Sequence, residues 1–296
     1  MTSLGFLLIL KYCLVSGLFA VAMFCSAQIA RFLSIAALGT AFLAAGVGRN
    51  FLTGSVVADC AILVGTAALV GLGTAVAAAV LHEVAGVDRV TAGVITYFLA
   101  YGTGLVLADG GMAKLPQEIS PPPVLVADVI LIVLLLSCVT VIIFYTGTYR
   151  GLRAVAFSQS PDFAGRFGSD GKVVDFVPIY LAPLFFGEFI AGLGGCMSLY
   201  LDSSTSRDYA FQPILIGVIA AGVAQFAAWR ARIWVRLLIT LTIGTLWALI
   251  FVMGADLQLP RWAADMKEGF AAFALAILIL SFQLVVKHLP RKPRSA

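Results

Sequence analysis

Long, sparsely charged apolar runs recur from one end of this chain to the other, and no other feature limits its fold so sharply. They fall at about 4–25, 31–48, 55–81, 90–108, 124–147, 177–200, 210–228, 235–255 and 268–287. A bilayer core needs roughly 20 apolar residues per helix, and most of these runs reach that length. Only 11% of the 296 residues are charged, against about 25% in soluble domains, and the mean hydropathy is +1.04. A barrel would show short alternating segments instead of continuous runs. The pattern therefore predicts an all-α integral membrane protein: one polytopic bundle of about 8–9 transmembrane helices, with one or two short or re-entrant segments. The short segments are 31–48, which is rich in Gly and Ala, and 210–228, which opens on the Phe-Gln-Pro of 211–213.

The first charge is Lys11, inside the first apolar run, so a cleaved signal peptide is not expected and 4–25 reads as a retained helix. Lys and Arg counts set the orientation. The stretch 148–176, the link 229–236 and the tail from Lys287 hold 11 of the 19 basic residues, whereas 109–123, 201–209 and 256–267 hold four, with acids beside them. The first set is expected in the cytoplasm. The N-terminus falls outside if 31–48 spans and inside if it re-enters.

Catalytic patterns are missing. Neither His82 nor His288 has a partner histidine, and His82 with Glu83 reads as a solvated turn. The five cysteines lie in apolar segments without metal or redox spacing and read as small packed thiols. The run 165–173 has Arg166 and Val173 where a phosphate loop needs Gly and Ser or Thr. The chain is thus expected to be no enzyme, to carry no cofactor or metal of its own, and to bind no nucleic acid.

Two features remain. Glu188 stands in the middle of an apolar run, where a charge is expensive and often marks a pathway. Gln28, Gln212 and Gln225 lie near ends or bends of short segments and read as helix glue or as pathway residues. Asp59, Asp128 and Gln283 lie close enough to segment ends to reach the interface. The second feature is the basic stretch 148–176. Ser160, Pro161 and Asp162 form a helix start, and Gly165 and Gly168 end it within two turns. Phe157, Phe163 and Phe167 would present apolar area there, beside Arg153 and Arg166.

The residues GLRAV (151–155) and SPDFAGRFG (160–168) resemble the cytoplasmic loop of one class of bacterial ABC importer permeases. That class serves ribose and other simple sugars, nucleosides, and branched-chain or aromatic amino acids. Its pattern is matched by Arg153, Ala154, Pro161, Ala164 and Gly168. Ser160 replaces its usual Asn, and the gap before it is two residues longer. Residues 179–195, 209–222, 81–100 and 32–47 resemble other family segments in the correct order, while 223–234 replaces an expected Gly-rich turn. The chain is similar to a divergent member over roughly residues 30–285.

The resemblance implies a permease subunit in the bacterial inner membrane, with its N-terminus inside. It implies that Arg153, Ala154, Ser160, Pro161, Asp162, Phe163, Ala164, Arg166, Phe167 and Gly168 dock a cytoplasmic ATPase, which would hold ATP and Mg. The other implied partners are a second permease (itself or a paralogue), a periplasmic or lipid-anchored solute-binding protein, and membrane lipid. Few charges in the pathway favour a small neutral or zwitterionic solute. The rival expectations are an ion-coupled secondary transporter using Glu188 and a non-transporting membrane scaffold.

Overall fold

A computed structural model describes residues 3–30, 32, 34–108, 112–159, 181–227 and 232–256. Among these residues there are nine α-helices: α1 (Ser3–Phe24), α2 (Ala36–Gly48), α3 (Val56–Glu83), α4 (Arg89–Leu107), α5 (Val124–Gly147), α6 (Tyr149–Gln159), α7 (Ala182–Asp202), α8 (Arg207–Ala227) and α9 (Ile233–Asp256). The chain divides into two units, Met1–Leu249 and Ile250–Ala296; the packing below is that of the first.

Among the described residues the apolar runs become helices, most of them nearly residue for residue, and fewer are candidate membrane spans than the 8–9 expected. Five are long and apolar enough: Ile9–Ile29, Val56–Glu83, Arg89–Leu107, Val124–Gly147 and Ala182–Asp202. The 24 residues of α5 extend about 36 Å, enough for a hydrocarbon core of about 30 Å. The 13 residues of α2 extend only about 20 Å, because its run begins after a non-helical link and stops at Arg49. α8 and α9 themselves run to 21 and 24 residues, and the apolar parts described within them are Pro213–Gln225 and Ile233–Leu249. Segment 268–287 lies outside the described residues.

α1 continues beyond Phe24 into a single π-helical turn (Cys25–Ile29). The backbone then leaves the helix before α2 starts. α7 is the central helix and packs against α1, α2 and α3; α2 lies among α3, α4 and α7, and α1 also touches α5 and α8. Lipid removes most of the hydrophobic gain from helix contact, so close approach through small residues carries the packing. Glycine supplies it here: a Cβ on Gly195 would sit 2.1 Å from the Ala41 carbonyl oxygen, and one on Gly71 would sit 2.7 Å from Phe189 Cα. α1, α2 and α7 are mostly buried, whereas α3, α4 and α5 turn large apolar side chains such as Leu69, Phe98, Val106 and Phe144 outward. That outer surface suits lipid rather than water.

Two short strands, β1 (Met112–Lys114) and β2 (Ser204–Ser206), pair antiparallel, bringing the segments after α4 and α7 to one end. The opposite end gathers the start of α7, the end of α5 and the α3–α4 turn: Tyr145 packs on Phe186 with ring centroids 5.4 Å apart, and Leu184 packs with Ala75, Ala78, Ala79 and Phe32. In that turn Gly86 takes φ +69°, and the Val87 amide reaches back to the Leu81 carbonyl at 3.0 Å, closing α3 as a glycine C-cap does. Asp88 then caps α4, accepting from the amides of Val90 at 3.1 Å and Thr91 at 3.0 Å.

Candidate functional site

The polar centre of the bundle forms where α1 breaks. The link after the π-turn is held by the Phe32 amide, which donates to the Ser26 carbonyl at 2.8 Å. The buried Phe32 ring meets His82 edge-on, with centroids 6.3 Å apart. This anchoring turns Ser34 inward. Ser34, Thr40 on α2 and Glu188 on α7 are all completely buried.

The Glu188 carboxylate is held from both sides. Ser34 Oγ donates to Oε1, and Thr40 Oγ1 donates to Oε2 at 2.5 Å. Thr40 has a single proton and two further acceptors at 3.0 Å, the Ala36 carbonyl and Thr74 Oγ1. The carboxylate is the strongest of the three and takes it. Thr74, on α3, gives its own proton to the Val70 and Gly71 carbonyls and lies 3.0 Å from Thr40 Oγ1, so the link and α2 hold Glu188 on α7 by hydrogen bonds while α3 packs beside them. A buried carboxylate held by two hydroxyl donors is a group that can take up or release a proton.

The other sequence candidates scatter around this centre. Gln28 lies in the π-turn and is buried. Its Nε2 donates to the Ala221 carbonyl on α8, while its Oε1 meets no donor among the described residues. It bridges two helices, as glue does. Gln225 is exposed on the last turn of α8, so it is not brought to the centre. Gln212 falls in the first half of α8, and its side chain is outside the described residues.

The proposed dock is described only at its start. α5 stops at Gly147 and α6 begins at once, hinged on one hydroxyl. Thr148 Oγ1 donates to the Tyr145 carbonyl at 2.6 Å and accepts from the Gly151 amide at 3.1 Å. It therefore closes one helix and caps the next. Gly151, Ala154 and Val155 form the buried side of α6, and Tyr149, Arg150 and Leu152 the exposed side. Arg153 lies 5.8 Å from the centre of the Tyr149 ring. Ser160, Pro161, Asp162, Phe163, Ala164, Arg166, Phe167 and Gly168 lie outside the described residues.

Two acids expected near the interface are instead buried. Asp59 accepts from the Thr53 amide at 2.7 Å, Thr53 Oγ1 at 3.0 Å and the Gly54 amide at 3.2 Å, with the Tyr200 hydroxyl at 3.4 Å. It folds the loop before α3 back over the helix end, which is why it is covered. Asp128, on the second turn of α5, is also buried, and neither carboxylate oxygen has a hydrogen-bond partner among the described residues.

His82, expected in a solvated turn, instead lies in the last turn of α3, partly buried against Phe32. Its Nδ1 is 2.8 Å from the Val87 carbonyl and Nε2 3.2 Å from Arg89 Nε. A carbonyl only accepts and the Arg Nε–H only donates, so the ring carries its proton on Nδ1. Cys25, Cys138 and Cys196 are buried free thiols, and Cys13 and Cys60 are half-buried. No protein-family model, curated protein or solved structure matches the chain.

Proposed function

We propose that this multi-pass membrane protein is the permease subunit of an ATP-binding-cassette importer for a small neutral or zwitterionic solute: a sugar, nucleoside or amino acid. It would sit in a bacterial inner membrane with a second permease, an external solute-binding protein and cytoplasmic ATPases. The observation that carries this reading is the α5–α6 joint. A helix long enough to span is followed, after one capping residue, by a short helix with one buried and one exposed side. That helix leads straight into 160–168, whose residues resemble the ATPase dock. ATP-driven movement of the dock would pull on α6 and switch the bundle between states of different access.

The test is affinity purification of the full chain from its native membrane, followed by solute-stimulated ATP hydrolysis. An ATPase should co-purify, and deletion of 160–168 or Arg153→Glu should weaken the coupling of hydrolysis to solute. Wild-type coupled transport after the deletion would sink the docking role.

The buried Glu188 cluster favours a second reading, an ion-coupled transporter. This predicts gradient-driven uptake by the chain alone in liposomes, abolished by Glu188→Gln. Uptake that needs both an ATPase and ATP separates the first reading from the second. Absence of transport in both settings would favour the scaffold.

A further inference from the structure

We propose that Asp128 is a second station for the Lys11 ammonium, which moves between Asp202 on α7 and Asp128 on α5 in exchange for a proton. α1 packs against both helices. Lys11 is buried on α1, donates to Asp202 Oδ1, and has its ammonium 5.6 Å from the centre of the Tyr12 ring. Asp128 is 2% exposed, with no donor on either oxygen among the described residues. Gly17 on α1 faces Leu135 on α5, and Lys11 and Asp128 lie six and seven residues before that contact, at a similar level of the two helices.

An ionised carboxylate buried without a counter-charge is several kcal/mol unfavourable. With Lys11 on Asp202 and no other partner for Asp128 among the described residues, a proton on Asp128 itself removes the charge. When the ammonium crosses to α5, the Asp128 O–H bond breaks and the proton leaves to water. Asp202 is left behind as a carboxylate, and the net charge of the three groups falls from zero to minus one. The two stations differ in a way that makes the exchange accessible. Asp202 is the last residue of α7 and its side chain is 18% exposed, so water can solvate it after Lys11 departs. Water cannot do the same for Asp128. Among the described residues, the charged and titratable groups of this cluster include Lys11 and Tyr12 on α1, Asp202 on α7 and Asp128 on α5. A bundle built this way couples the packing of α1, against α7 or against α5, to one proton.

The experiment is infrared difference spectroscopy of the full-length protein in lipid nanodiscs, following the carbonyl stretch of protonated carboxyl groups against pH. One such band should vanish in Asp128→Asn. It should also vanish in Asp202→Asn, where Lys11 has only Asp128 left to pair with, and persist in Asp202→Glu. Lys11→Met removes the ammonium that competes with the proton, so the band should survive to higher pH than in wild type. A spectrum unchanged by Asp128→Asn, or a band retained in Asp202→Asn, overturns the proposal. So does a Lys11→Met titration that coincides with wild type, which decides the matter even if Asp202→Asn does not fold.

Discussion

Thr40 Oγ1 donates to Glu188 Oε2 at 2.5 Å, joining the short helix α2 to the central helix α7 through a completely buried contact. Glu188 is the sole acid of α7 before its terminal Asp202, and α2 is too short to span. The contact therefore fixes a short helix inside the bundle by polar chemistry, where helix packing in lipid gains little from apolar burial.

Removing this donor while keeping the side chain's shape isolates that contribution. Thr40→Val leaves one carboxylate oxygen of Glu188 without its hydroxyl, at a cost of about 1–3 kcal/mol. Thr40→Ser restores the donor and should recover most of the loss. Thermal unfolding of the purified protein in detergent reads both; equal Tm values for wild type and Thr40→Val would show that the hydroxyl carries no weight.

How much of this was legible beforehand follows from what a one-dimensional pattern holds. Helix positions are written in the length of the apolar runs, so α5 coincides with the segment read from sequence. Glu188 stands out because a lone acid in an apolar run has few structural excuses. Ser34, Thr40 and Thr74 give no such signal, since small hydroxyl residues are common in membrane helices and bond to their own backbone. Only the break after α1 and the packing of α3 bring them to one point. Asp59 and Asp128 look interfacial because distance along a helix says nothing about a loop or a neighbouring helix that covers the end. The run 31–48 reads as long enough to reach far into a bilayer, but its first residues are spent on the link after α1, which leaves α2 only 13 residues.

Glycines give a second, internally controlled test. In Gly195→Ala the new methyl would lie 2.1 Å from the Ala41 carbonyl oxygen, so α2 and α7 must separate, at a cost of about 1–3 kcal/mol. Gly73→Ala meets nothing within 4 Å, and the better helix propensity of alanine should stabilise it by up to about 1 kcal/mol. The two variants add the same methyl group, so opposite shifts in Tm attribute the effect to helix approach. Matching shifts would refute the close contact of α2 with α7.

The cap of α4 should show in the pH dependence of stability. Hydrogen bonds from Thr91, and from the Val90 amide, hold the exposed Asp88 carboxyl below its ordinary value. A carboxylate whose folded pKa is depressed stabilises the fold at pH above its unfolded value, and that contribution disappears as pH falls through the folded value. Asp88→Ala should therefore lower Tm at neutral pH, and the gap to wild type should close on acidification below the usual carboxylate range. Asp88→Asn keeps an oxygen acceptor and should lie between them. A gap that stays constant down to the lowest accessible pH would mean that the charge plays no part in the cap.

The α5–α6 joint offers the most direct link from local geometry to the proposed function. Thr148→Val deletes the hydroxyl that serves both helix ends, and loss of a cap of this kind costs about 1 kcal/mol. Gly151→Ala is more severe, since its Cβ would fall 1.9 Å from the Tyr145 carbonyl oxygen, and α6 could not stay seated against α5. Gly147→Ala is the control, with nothing within 4 Å of the added atom. If α6 transmits motion from an ATPase docked on 160–168, Gly151→Ala should reduce solute-stimulated hydrolysis several-fold in the intact complex, Thr148→Val less, and Gly147→Ala hardly at all. Basal hydrolysis, which belongs to the ATPase, should stay the same in all three. Because neither Thr148 nor either glycine hydrogen-bonds to Ser34, Thr40 or Glu188, a transporter driven through that carboxylate alone would keep its gradient-driven uptake when the joint is loosened. The same variants thereby separate a chain moved from its cytoplasmic loop from one moved by an ion at its centre.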